Sequence, residues 1–200
     1  SPRIAGIAAS GEPPVDRATD PGVEDGVDVP GELRELLAAY ARTRLEFRDP
    51  GSGRDLVLHP EPPGSRGDWP FPGAAAAAVV TAWHPRSERV RDPEHDRRDL
   101  DDLRGVVLRA GFRAIDCVGI GVATDAPAAN STSRATDAPA EVWSEPSLLV
   151  PGVDRATACT WAARHEQNAI FWWTPSEWRI AGVLLRFPDV VIGWRLSSRS

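Results

Sequence analysis

The sequence predicts a small soluble α+β domain. Its expected core is a mainly antiparallel sheet with helices packed on it, in ferredoxin-like (split βαβ) order at the centre. Three observations carry this expectation. Alternating or β-branched apolar runs bounded by turn residues recur at 43–47, 55–59, 76–83, 112–122, 142–150, 169–174 and 178–185. Two capped helical periods, at 93–110 and 155–166, fall between them. The centre of the chain is then ordered β-α-β-β-α-β.

At 200 residues the chain fits one domain with a tail. Apolar residues make up 42%, and 17 Gly with 19 Pro point to long irregular segments around an ordered core. Eight Trp against one Tyr imply a Trp-rich core or a Trp-lined cleft, because indole is large and amphipathic. Every basic side chain is Arg, and Arg, Ala, Gly and Pro are high together, as a GC-rich genome would give. A formal charge of −6 argues against a strong nucleic-acid binder, which needs a basic field. Cys117 and Cys159 make no C-x-x-C pair and read as buried free thiols in a reduced compartment. No apolar run reaches the ~18 residues of a spanning helix, and residues 1–10 make no convincing signal peptide. The expected location is cytoplasmic.

Residues 1–30 hold six acids and two Arg without periodicity, which predicts a disordered acidic leader. The single domain is expected over 31–187, and 188–200 forms a C-terminal extension whose apolar run 190–194 adds an edge strand or packs on the sheet. Leu33, Leu36, Leu37 and Tyr40 share one face of a first helix, from about residue 30 to Tyr40. Long loops are expected at 49–73, interrupted by a returning hairpin strand at 55–59, and at 123–140. Leu100, Leu103, Val107 and Ala110 form the buried stripe of the second helix, with Arg97–Asp101 and Arg98–Asp102 pairs on its wet side. Asp154 caps the third helix.

Polar groups interrupt this scheme where a plain core would be apolar. On the strand 142–150, alternation puts Trp143, Glu145 and Ser147 on one face. A buried Glu needs partners or a raised pKa. Glu145 is therefore a general acid/base or a ligand-holding carboxylate, or else a structural acid paired with Arg or with backbone amides. Gln167 and Asn168 stand where the third helix stops, either to read a planar ligand edge or, for Asn168, to take a left-handed turn. Thr81 and His84 end a strand just before Pro85, and His84 is a candidate base or a solvated loop residue. His84, Glu94 and His95 match no zinc spacing. Gly119-x-Gly121 is too short for a dinucleotide fingerprint, and no cofactor is implied.

V-V-T-A-W-H-P at 79–85, W-S-E-P-S-L-L-V at 143–150 and E-Q-N-A-I-F-W-W at 166–173 together resemble the bacterial DUF3293 family, a domain of unknown function. The resemblance spans about residues 33–183. In that family pattern a strand ends in Thr-Ala-x-Asn-Pro, a Trp-x-Glu-x-Ser strand comes after the next helix, and a later helix ends in Gln-Asn-Ala-Ile-Phe. This chain carries His84 where the pattern has Asn, and Glu94-His95 where it has an acidic-Asn pair. The resemblance implies no activity.

Three functions stay open at this level. The first is a domain binding a small polar ligand in a cleft made by Thr81, His84, Trp143, Glu145, Ser147, Gln167 and Asn168. The second is an enzyme with Glu145 and His84 as acid/base partners. The third is a protein-interaction or structural module. A membrane partner is not expected, and nucleic acid is disfavoured by charge.

Overall fold

A computed structural model describes residues 30–84, 92–122 and 142–199. Residues 1–29 of the expected leader and the 123–140 insertion lie outside the described residues. Helix α1 (Gly31–Tyr40) leads into the hairpin β1 (Arg44–Arg48) and β2 (Asp55–Glu61). β3 (Ala77–Val80), α2 (Pro93–Arg109), β4 (Ile115–Val122) and β5 (Val142–Pro151) follow. α3 (Arg155–Arg164) precedes β6 (Ala169–Trp173), β7 (Trp178–Gly182) and β8 (Val190–Ser198).

These strands do not make the ferredoxin-like split βαβ layer expected from their order. They close into an eight-stranded barrel, β1-β2-β8-β7-β6-β3-β5-β4, with every pairing antiparallel. The difference arises at the sheet edges. An open layer would leave the outer backbone groups of β4 and of the β6–β7 hairpin unpaired, and closure removes such edges. β1 covers β4, from Arg44 opposite Ile120 to Phe47 opposite Cys117. The segment expected as a C-terminal extension supplies β8, which pairs with β2 from Leu56 to Glu61 and with β7 from Trp178 to Ile180. Asp189, just before β8, holds both Arg155 guanidinium nitrogens at 2.6 and 2.7 Å, tying the last strand to the start of α3.

Alternation along each strand sorts the core into two clusters. Leu45, Phe47, Leu58, Cys117, Trp173 and Trp194 belong to the barrel interior. Outward-facing Ala78, Val80, Leu148 and Val150 pack instead under α2 and α3, with Leu103, Val107, Ala158 and Trp161. All four residues of β3 are thus buried, which explains why it reads as one continuous apolar run.

One end of the barrel is plugged by aromatic rings. Trp173 meets Trp69, Trp194, Phe71 and Phe47 edge-on, at centroid distances of 4.9, 5.0, 5.6 and 6.3 Å. The Trp69 indole N–H donates to the carbonyls of Phe71 and Ala74, at 2.8 and 2.9 Å, which fixes the loop before β3 across this end. Of the adjacent pair, Trp173 is fully buried, while Trp172 is half-buried and packs on the helix side. The α2 stripe buries Leu100, Leu103 and Val107 but begins one turn earlier than expected, at Asp96, and Ala110 is exposed. On its wet side Arg97 pairs with Glu94, and Arg98 donates to the Glu94 carbonyl. Cys117 is buried and Cys159 half-buried, both as free thiols. Among the described residues no helix is long and apolar enough to cross a membrane.

The final strand runs tightly beneath the loop after β2. The Trp194 N–H donates to Ser65 O at 3.0 Å, and a Cβ on Gly193 would lie 1.9 Å from the Pro62 carbonyl oxygen. Gly193→Ala is therefore expected to destabilise the fold by about 3 kcal/mol through backbone overpacking. Chemical denaturation followed by far-ultraviolet circular dichroism would measure it, and a loss under about 0.5 kcal/mol would contradict this closure.

Candidate functional site

The end of the barrel opposite the aromatic plug is polar and open. Its cleft is small, with about 40 Å³ open to the centres of water-sized molecules, and it faces solvent at its mouth. The strand register explains why space exists there. Glu145 on β5 lies directly across from Gly119 on β4, and Trp143 lies across from Gly121. No side chain stands opposite the carboxyl, so room remains above it. The Trp143 indole lies over Gly121, where an added Cβ would fall 2.2 Å from the ring. The Gly-x-Gly of β4 thus serves to seat an indole and to open a cavity.

Thr81, Trp143, Glu145, Ser147 and Gln167 all line this cleft. Tyr40 and Thr43, from the end of α1 and the turn after it, complete the polar rim, and sequence reasoning had missed them. Leu45, Val79, Phe171 and Ile180 form the apolar walls. Tyr40 meets Phe171 edge-on at 6.1 Å, so α1 sits across the mouth.

Thr81, Ser147 and Gln167 are each held by backbone groups. The Thr81 hydroxyl donates to Pro146 O at 2.9 Å and accepts the Trp83 N–H at 2.9 Å, linking the end of β3 to β5. Ser147 donates to Glu145 O at 3.3 Å. α3 ends in a Schellman motif: Gln167 N–H bonds Ala162 O and Glu166 N–H bonds Ala163 O. The left-handed residue is Glu166, with φ of 53°, and not Asn168. This turn aims the Gln167 amide at the carbonyls of Trp83 and His165, at 3.2 and 3.1 Å.

Burial is the largest influence on Glu145. The Thr81 hydroxyl beside it opposes that push, the Asp96 carboxylate adds to it, and the carboxyl is raised to about 7.

Two residues expected at the site stand elsewhere. His84 is not in the cleft lining: its Nε2 is 3.9 Å from Asp96 Oδ2, and its backbone is left-handed, with φ of 46°. Asn168 is buried, is absent from the lining, and its backbone carbonyl accepts the Val183 N–H at 2.9 Å. Asp96 is the acid that sequence reasoning overlooked. It is 1% exposed and lies four residues before Leu100 on the same helix stripe. A charge in register with that apolar stripe was the available signal. Among the described residues no three His, Cys, Asp or Glu side chains converge as metal ligands would.

These features define a class: a closed antiparallel barrel, plugged at one end, polar at the other, and flanked by two helices. The model of the DUF3293 family, described as a protein of unknown function, matches residues 80–170 of the chain. That stretch contains Thr81, Asp96, Trp143, Glu145, Ser147 and Gln167. A search of curated proteins and a search of solved structures gave no match.

The raised Glu145 has a thermodynamic consequence with a definite sign. Between its ordinary value of 4.5 and about 7, the folded state binds more protons than the unfolded chain, so stability falls as pH rises through that window. The loss amounts to about 3 kcal/mol. Glu145→Gln lacks this loss, so its stability relative to the wild type should improve steadily from pH 4.5 to 8. Urea unfolding across that range would test it, and a constant difference between the two proteins would show that the Glu145 carboxyl titrates as it does in the unfolded chain.

Proposed function

We propose that this domain binds a small polar ligand in the open end of its barrel. The observation that supports the reading most is the pairing of Glu145 with Gly119, which sets an acid beside unfilled space and not against a neighbouring side chain. Thr81, Trp143, Ser147 and Gln167 contribute polar atoms and one aromatic face on a rigid frame. Catalysis with Glu145 and His84 as acid and base is a second reading, favoured by a Glu145 that titrates near neutrality. In that scheme Asp96, and not Glu145, is the carboxylate beside the imidazole.

A Cβ on Gly119 would meet Thr43 and Leu45 at 3.5 and 3.7 Å, which is ordinary contact. Gly119→Ala is therefore expected to fold normally while filling the cleft. A metabolite panel screened by thermal melting should contain compounds that raise the wild-type midpoint and leave Gly119→Ala unchanged, since a ligand at about 100 times its Kd stabilises the fold by about 2.7 kcal/mol. A panel with no stabilising compound would count against the binding reading.

A further inference from the structure

The donors and acceptors of the cleft are not balanced. The Thr43 hydroxyl donates to Ala39 O at 3.1 Å, Thr81 to Pro146 O, and Ser147 to Glu145 O. The Gln167 amide directs its N–H groups to two backbone carbonyls. These side chains have spent their hydrogens on the protein, so what each can still offer a guest is an oxygen lone pair. The other lining groups able to donate are Tyr40 and Trp143, which also carry aromatic faces. Among the described residues no Arg or His lines the cleft, and the chain has no Lys. The acidic groups are Glu145 within it and Asp96 behind it. Among the described residues an anion would find no countercharge here, and two carboxyl groups.

From this imbalance we infer that the ligand is a small organic cation, a primary amine or an amidine, with its N–H groups on Glu145 and on the free oxygens of Ser147 and Gln167. This rests on the binding reading above and names its ligand class. The apolar body of the guest lies between Leu45 and Phe171, and its charge meets the faces of Trp143 and Tyr40, a contact favourable to cations out of water. Glu145 ionises as the cation arrives, and its proton leaves to solvent. The pair then compensates a charge that would otherwise be costly to bury. Among the described residues the titratable groups around Glu145 are Asp96 on α2, with His84 against it, Cys117 on β4, and Tyr40 at the mouth.

The test is calorimetric titration of the full chain with benzamidine and n-butylamine, both cationic across the range used, at about pH 5.5 and about pH 8. Benzamide, n-butanol, benzoate and butyrate serve as neutral and anionic counterparts. The cations should bind about 30-fold more tightly at the higher pH, following the ionised fraction of a carboxyl near 7, and release close to one proton at the lower. Glu145→Gln should weaken cation binding at pH 8 by at least about tenfold and abolish its pH dependence, without a lower melting temperature. Preferred binding of a neutral or anionic probe, or tighter cation binding on acidification, overturns the cation assignment and leaves the binding cleft standing. Silence from every probe, with no effect of Gly119→Ala on the metabolite panel, overturns both.

Discussion

Closure of the eight-stranded ring is the constraint on which the remaining features depend. A ring of this size has an interior just wide enough for side chains to fill. Here the filling is uneven. Trp69, Phe71, Trp173 and Trp194 occupy one end, while glycines and short polar side chains leave the other end open. β8 completes the ring and also carries Trp194 into the plug. The final strand therefore contributes twice, through backbone pairing and through the bulk that keeps the far end dry.

Much of the local structure was legible in the chain. Helix and strand periods, the Asp154 cap and the turn residues mark elements close to their observed limits. Closure was not legible, for a physical reason. Pairings such as Leu58 with Leu196 join residues far apart in sequence, and nothing in a strand's own pattern names a distant partner. Burial on two sides added to the difficulty. β3 faces the barrel interior with Ala77 and Val79, and the helices with Ala78 and Val80, so its sequence carries no alternation to reveal a curved sheet.

The candidate site divides along the same line. Trp-x-Glu-x-Ser stood out because its inward face departs from a core pattern, and those three residues line the cleft. Asp96 did not stand out, since an acid near a helix start is ordinary. Only the packing of α2 against the barrel turns it inward. His84 drew attention as an imidazole, whereas its left-handed backbone and its approach to Asp96 depend on the fold. Single residues of unusual type could be found in the sequence. Their partners had to wait for the fold.

α1 supplies part of the rim, yet none of its residues is fully buried, and its Tyr40 ring meets Phe171 edge-on. A helix with no fully buried residue gives up less buried surface on local opening than a barrel strand would. The vessel and its cover thus have separate stabilities. Local opening of α1 can therefore occur while the barrel wall stays intact.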